Sequence, residues 1–123
     1  MKEVVRFYTE GLGFEVLGEF RDHDGFDGVM LGHRGAGYHL EFTRKAGEIA
    51  GSAPSPEHLL VFYLPDRVSW HEAVGRIEAI AEPVAAFNPY WDRSGRTYRD
   101  PDGYGVVLQN AGWTNEVREG GGA

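Results

Sequence analysis

The stretch "GYHLEFT" (Gly37–Thr43) can be laid over the stretch "GYGVVLQ" (Gly103–Gln109), so that Glu41 falls on Val107. Each stretch closes one half of the chain. Local patterns predict helix, strand, strand, strand in the first half, and strand, helix, strand, strand, strand in the second. The short match and the shared order of elements together indicate a duplicated module.

The first half opens on a helix, because Val4, Val5, Tyr8 and Leu12 recur at helical spacing and Gly11 and Gly13 supply the left-handed stop. Turn residues bound each of the runs that follow. Three strands are predicted there: "FEVLGEF" from Phe14, "FDGVMLGH" from Phe26 and "YHLEFTR" from Tyr38.

The second half begins with "EHLLVFYL", which is typical of a buried strand. The next helix is expected to start with a capping box in which Glu72 answers the backbone of Ser69, with Asp66 as the alternative N-cap. A short "EPVAAF" strand, the strand "RTYRD", the turn "DPDG" and the strand "YGVVLQN" complete the predicted order.

The domain prediction is therefore one domain over residues 1–113. Module one covers residues 1–44, module two covers residues 57–113, and a linker rich in Gly, Ser and Pro joins them over residues 45–56. Residues 114–123 form a polar tail that is predicted to be disordered.

Composition excludes several classes of function. The chain has 123 residues and no cysteine, so disulfides, thiol nucleophiles and iron–sulfur clusters are excluded. Its net charge of -7 argues against binding to nucleic acid or to an anionic membrane. No apolar run approaches the length of a membrane span, and the N-terminus lacks the apolar core of a signal peptide. A cytoplasmic protein is expected.

His39 and Glu41 are the first candidates for a functional site. Alternate residues of a strand share a face, so this imidazole and this carboxylate could converge on one cation. An ordinary polar strand face is the competing interpretation, because metal sites normally recruit ligands from several strands.

Four stretches resemble the vicinal oxygen chelate superfamily, which includes glyoxalase I, bleomycin-resistance proteins and extradiol dioxygenases. They occur in the family's order: "VVRFYTEGLGFEV", "HLEFTR", "EHLLVFYL" and "DPDGYGVVLQ". The resemblance implies an α+β fold of two βαβββ modules, with a curved mixed sheet that forms a cup around a small-molecule site, usually in a homodimer.

The resemblance also implies which residues could hold a metal. Glu41 matches the last-strand ligand of module one, and His58 matches the first-strand ligand of module two. Glu41 is also the candidate catalytic residue. The remaining carboxylate position falls on Val107, which cannot bind a cation. The implied metal set, Glu41 and His58, is therefore incomplete, and no cofactor is expected. If other groups completed the set, it would bind a divalent metal such as zinc, nickel, manganese or iron.

A second group of residues is expected to line the cup. Aromatic rings can stack on a flat ligand, and an amide can donate or accept hydrogen bonds. The expected lining comprises His39, Phe62, Tyr90, Trp91, Tyr98 and Gln109.

Two functions follow as alternatives. The first is a metal-free protein that binds a small organic molecule in its cup, with Glu41 as a hydrogen-bonding anchor or general base. The second is a divalent-metal-dependent lyase of the glyoxalase I type or a dioxygenase, whose metal shell is completed by an upstream strand or by the partner in a homodimer.

The first strand of module one is missing, because the chain starts on the helix of that module. The family pattern places this strand beside "YHLEFTR", whose edge would otherwise be unpaired and prone to association. A misplaced start codon and a genuine truncation are both compatible with the sequence.

Overall fold

A computed structural model describes residues 1–48 and 51–113 of the chain. Two three-stranded sheets carry the fold, each with helical segments on one face. The elements in chain order are α1 (Lys2–Arg6), a π-helical turn (Phe7–Gly11), β1 (Glu15–His23), β2 (Phe26–Gly32), β3 (His39–Lys45), β4 (Leu59–Tyr63), α2 (Arg67–Glu78), α3 (Tyr90–Arg93), β5 (Gly95–Arg99) and β6 (Gly105–Gln109). The predicted disordered tail lies outside the described residues.

The opening helix forms where the periodicity predicts it. Val4, Phe7 and Tyr8 are buried on one side of α1 and the π-helical turn. Gly13 follows with a φ of +75°, a left-handed conformation that favours glycine and redirects the chain into β1.

The first sheet is an antiparallel meander in the order β1-β2-β3. Directly opposed residues share a face, so the pairs Val29↔Phe42 and Leu31↔Leu40 point to the core while Met30↔Glu41 points the other way. We call this second side the cup face. In the described residues β3 pairs with β2 alone, which leaves its other edge open.

The second sheet has the order β4-β6-β5, with β4 parallel and β5 antiparallel to β6. α2 connects β4 to the rest of the sheet and packs Ala73 and Ile77 against Leu108 and Val106. The predicted "EPVAAF" strand is wrong: within the described residues it is reduced to a single bridge between Val84 and Thr97. Two prolines and few β-branched residues in this neighbourhood explain why no longer ladder forms.

The predicted capping box of α2 is also corrected in favour of its alternative. Asp66 is the N-cap, and its Oδ2 accepts hydrogen bonds from the Ser69 hydroxyl at 2.7 Å and the Ser69 backbone N–H at 2.9 Å. Both bonds lower the pKa of Asp66, and the bond from the hydroxyl has the larger effect. An aspartate N-cap satisfies a helix N–H without help from Glu72.

The two modules share one core. The ring of Phe14, which precedes β1, packs edge-to-face on Phe62 of β4 with centroids 5.5 Å apart. The Tyr8 hydroxyl donates to Asp100 Oδ2 at 2.8 Å, and both residues are buried. Burial and the adjacent Asp100 carboxylate raise the pKa of Tyr8.

The α+β class with two related modules and curved sheets is confirmed. Each module places its helix on the core side and leaves its cup face to the other side. Among the described residues, no helix combines the length and the apolar character that crossing a membrane requires.

Candidate functional site

His39 and Glu41 lie side by side on the cup face of β3, as the alternation of the strand requires. Their side chains are 48% and 50% exposed, and His39 Nε2 is 3.8 Å from Glu41 Oε1. They form a polar pair that a ligand can reach from solvent.

His58 lies immediately before β4 and is exposed. Its Nδ1 is 3.4 Å from the carbonyl oxygen of Ser55, and its ring stands edge-on to Tyr104 at a centroid distance of 6.4 Å. Within the described part of the chain His58 forms no ion pair with a carboxylate, so the structure does not join it directly to Glu41.

Two clefts border these residues. The Glu41 cleft, of about 450 Å³, has Glu41 and Thr43 of β3 on one wall and Asp102 and Tyr104 on the other. The Trp91 cleft, of about 470 Å³, is lined by Glu57, Leu59, Phe87, Asn88, Pro89 and Trp91.

The ring pair of His58 and Tyr104 links the two clefts. Tyr104 lines the Glu41 cleft, and the chain neighbours of His58, Glu57 and Leu59, line the Trp91 cleft. Clefts of a few hundred cubic ångströms are the size of small-molecule sites. Glu41 therefore borders space in which a small molecule fits, whereas His58 lines neither cleft itself.

Thr97 and Gln109 lie on the cup face of the second sheet, on either side of Val107. Thr97 is opposite Val107 in the β5–β6 pair, and Gln109 follows two residues after Val107 on the same face. Each of the two residues is only 4% exposed, and neither Thr97 Oγ1 nor Gln109 Oε1 has a hydrogen-bond partner in the described structure.

The residues predicted to line the cup divide into two groups. Gln109 lies in the cup-face wall, Trp91 lines a cleft, and Tyr90 is exposed beside Trp91 with ring centroids 4.9 Å apart. Phe62 faces the core side, where it lines a different cleft of about 390 Å³ together with Phe14 and Tyr38. The prediction for Tyr98 is wrong, because Tyr98 is fully buried in the core and its hydroxyl donates to Glu78 of α2 at 2.6 Å.

The prediction also missed Thr97 and Tyr104. The "DPDG" turn centres the β5–β6 hairpin near Asp102, and this spacing pairs Thr97, not Tyr98, with the Val107 face. The overlay of the two halves aligns Tyr104 with Tyr38, directly before the last strand of the second half. The phase of the hairpin is the signal that identifies Thr97, and the overlay is the signal that identifies Tyr104.

The donor set does not make a complete divalent metal site. Among residues 1–48 and 51–113, no group of three or more His, Cys, Asp or Glu side chains is arranged to hold a metal ion. His39 and Glu41 supply one close pair, while Val107 occupies the position of the expected second carboxylate. A catalytic site of this kind normally needs at least three protein ligands.

Comparison with known proteins places the sequence among relatives of the same architecture. A family model described as the YycE-like N-terminal domain matches residues 1–43, and one described as the YycE-like C-terminal domain matches residues 57–110. The uncharacterized protein YycE of Bacillus subtilis (strain 168) is 42% identical over 112 residues, which cover 90% of this chain and 81% of that protein.

Solved structures give the same result. The crystal structure of a YycE protein of unknown function from Bacillus subtilis, for which a glyoxalase or fosfomycin resistance role has been suggested, is 41% identical. It matches with a TM-score of 0.83 over 93% of this chain and 84% of that chain. The trypanothione-dependent glyoxalase I of Leishmania major matches with a TM-score of 0.68 at 23% identity, over 90% of this chain and 78% of that chain, and shares the fold.

Proposed function

The chain belongs to the YycE-like family of the vicinal oxygen chelate superfamily, and from this premise we propose that it binds a small organic molecule in its cup without a complete metal site. The observation that carries the proposal is the pair of linked clefts, of about 450 and 470 Å³, which Glu41 and the neighbours of His58 line.

Glu41 is the anchor in this proposal. Its carboxylate is half exposed and 3.8 Å from His39, so it can accept a hydrogen bond from an O–H or N–H group of the ligand. If a reaction follows, the same carboxylate is placed to take a proton from the ligand, and His39 is close enough to share it.

The alternative is a divalent-metal-dependent lyase of the glyoxalase I type or a dioxygenase. The close His39–Glu41 pair favours it, because one imidazole and one carboxylate are half of a typical metal shell. His58 is the further ligand that the family pattern implies, and the rest of the shell would have to come from an upstream strand or from a second copy of the chain.

A homodimer is part of either proposal. The exposed apolar side chains Leu17 and Phe26 on the first sheet form a surface that a second copy would cover. Light scattering coupled to size-exclusion chromatography measures this directly, and a purely monomeric protein at high micromolar concentration would contradict it.

The test combines metal analysis with ligand screening. Elemental analysis of protein purified without added metal is expected to find less than stoichiometric zinc, nickel, manganese and iron. Thermal-shift and NMR titrations then screen adducts of α-ketoaldehydes with thiols and a panel of aromatic antibiotics. Stoichiometric metal would reject the metal-free proposal in favour of the enzyme.

A matched pair of variants localises any ligand that is found. Glu41→Gln removes the charge from the anchor with little change in size, and we expect at least tenfold weaker binding. Glu72→Gln makes the same change on the exposed face of α2, away from both clefts, and is expected to bind as the parent protein does. Equal affinity of the Glu41 and Glu72 variants would remove Glu41 from the site.

A further inference from the structure

The buried pair Thr97 and Gln109 has no role in the fold that the described contacts reveal. Both side chains are 4% exposed, and both carry an oxygen without a hydrogen-bond partner in the described structure. A buried polar atom without a partner costs free energy, so native proteins tolerate few of them outside functional sites. Because Thr97 and Gln109 lie on the same face of the neighbouring strands β5 and β6, one site can account for both unpaired oxygen atoms.

Their register partners on the cup face are uncharged. Val107 lies next to both, Val61 pairs with Val107 from β4, and Tyr63 is the register partner of Gln109, while Arg99 is two residues beyond Thr97 on the same face of β5. Thr97 and Gln109 are thus neutral hydrogen-bonding groups set in an apolar wall. A wall of this kind recognises the polar end of a neutral molecule, because Thr97 and Gln109 themselves offer no counter-charge to a buried ionic group.

Trp91 stands over this wall. A Cβ atom on Gly95 would overlap Gln109 Oε1 and would come within 2.9 Å of the carbonyl oxygens of Trp91 and Leu108. Since Gly95 is opposite Gln109 in the β5–β6 pair, its missing side chain makes room for the amide beneath the backbone of Trp91. Trp91 also lines the neighbouring cleft of about 470 Å³.

The segment that carries Trp91 is held mainly by its own local bonds. α3 is a single turn, none of its residues is buried, and the side-chain oxygen of Asn88, just before the helix, accepts from the backbone N–H of Tyr90 at 3.0 Å. A link to the preceding chain is longer, 3.4 Å from the Ala86 N–H to Asp92 Oδ1. Segments with few buried contacts and exposed hydrogen bonds open at low free-energy cost.

We propose that Thr97 and Gln109 form the polar floor of a subsite that extends the Trp91 cleft when α3 shifts outward. Its ligand is a neutral, flat molecule that presents an N–H or O–H donor to Gln109 Oε1 and Thr97 Oγ1 while its ring packs on Trp91. This inference rests on the proposed function and specifies the chemistry of the ligand end that enters the second module.

Three related probes test the chemistry on the full chain. Benzamide is neutral, flat and carries N–H donors; N,N-dimethylbenzamide lacks the donors; benzoate carries a charge. Gln109 is the only glutamine in the sequence, so its side-chain amide gives an NMR signal that needs no complicated assignment. We expect benzamide to shift that signal together with the Trp91 indole N–H, and to bind at least fivefold more tightly than either analogue.

Two apolar variants test the residues. Thr97→Val and Gln109→Leu remove the unpaired polar atoms at similar volume, so each is expected to raise the melting temperature of the ligand-free protein and to weaken benzamide binding at least fivefold. Thr9→Val is the matched control, because the Thr9 hydroxyl already donates to the Val5 carbonyl oxygen at 2.7 Å and its loss should lower the melting temperature.

The outcomes separate this inference from the proposed function. Equal binding of benzamide and N,N-dimethylbenzamide, unchanged affinity in both apolar variants, or a fall in melting temperature for Thr97→Val like that for Thr9→Val would each overturn the subsite. Ligands that bind at Glu41 but ignore Thr97 and Gln109 would overturn the subsite and leave the proposed function standing. Failure of every compound in both panels to bind would overturn both.

Discussion

The hydrogen bond between Tyr8 and Asp100 is expected to be one of the main polar links between the modules. It joins residues 92 positions apart, at 2.8 Å, where the tyrosine is fully buried and the carboxylate is 5% exposed. Asp100 Oδ1 already accepts from the backbone N–H groups of Asp102 and Tyr104 at 2.9 and 3.0 Å. Tyr8→Phe therefore leaves the other oxygen, Oδ2, buried and without this donor.

The size of the effect follows from this geometry. A hydrogen bond to a charged group contributes about 1.5–3 kcal/mol, and the substitution leaves the ring volume nearly unchanged. We expect Tyr8→Phe to lower the free energy of unfolding by about 2 kcal/mol, which for a domain of this length corresponds to a fall of about 8 °C in melting temperature. Tyr98→Phe is the comparison variant, and its effect should be smaller because the side chain of its partner Glu78 is 34% exposed.

The assay is urea denaturation followed by tryptophan fluorescence, with the double variant Tyr8→Phe/Asp100→Asn completing a cycle. A loss below about 0.5 kcal/mol, the range of ordinary surface substitutions, would refute the assigned role. So would a cycle in which the two single effects simply add, because groups in direct contact are expected to be coupled.

The same bond has a pH signature. Because burial and Asp100 raise the pKa of Tyr8, the native tyrosine keeps its proton at pH values where the unfolded one loses it. The unfolded state then binds fewer protons, so this contribution is full below about pH 10, the ordinary tyrosine value, and is lost as pH rises above it. The stability difference between the parent protein and Tyr8→Phe should narrow above that pH, and a constant difference would contradict the mechanism.

Three further variants test other features by thermal melting. Asp66→Ala removes the acceptor of Ser69. Because the pKa of Asp66 is lowered, its benefit is complete at neutral pH and declines as pH falls below about 4, so the variant should melt lower at pH 7 and the difference should shrink as the solution is made more acidic. Asp102→Asn should raise the melting temperature at pH 7 and not at pH 3, because burial and then a neighbouring carboxylate raise the pKa of Asp102 and disfavour its ionised form in the fold. Gly95→Ala should lower the melting temperature and shift the Gln109 amide signal, since the added Cβ overlaps that amide; an unmoved signal would contradict the contact.

The fold was largely predictable because its signals are local. Alternation marks β1 to β3 within a few residues each, and the "DPDG" turn sets the β5–β6 hairpin without reference to the rest of the chain. The repeated order of elements then indicates two modules. Where the local signal was weak, as in "EPVAAF", the prediction of a strand failed and only the bridge at Val84 remains.

The sequence by itself determined that His39 and Glu41 share a strand face, because the period of a strand is a property of the backbone. Only the tertiary structure decided which face of each strand meets the core. Tyr98 and Thr97 are adjacent, and residue type favoured the aromatic one for the cup, yet packing against α2 draws Tyr98 inward and turns Thr97 outward. The burial of a side chain depends on elements that are distant in the chain, and so does the position of Trp91 over Gln109. A local sequence pattern covers only a few residues and therefore predicts neither of them.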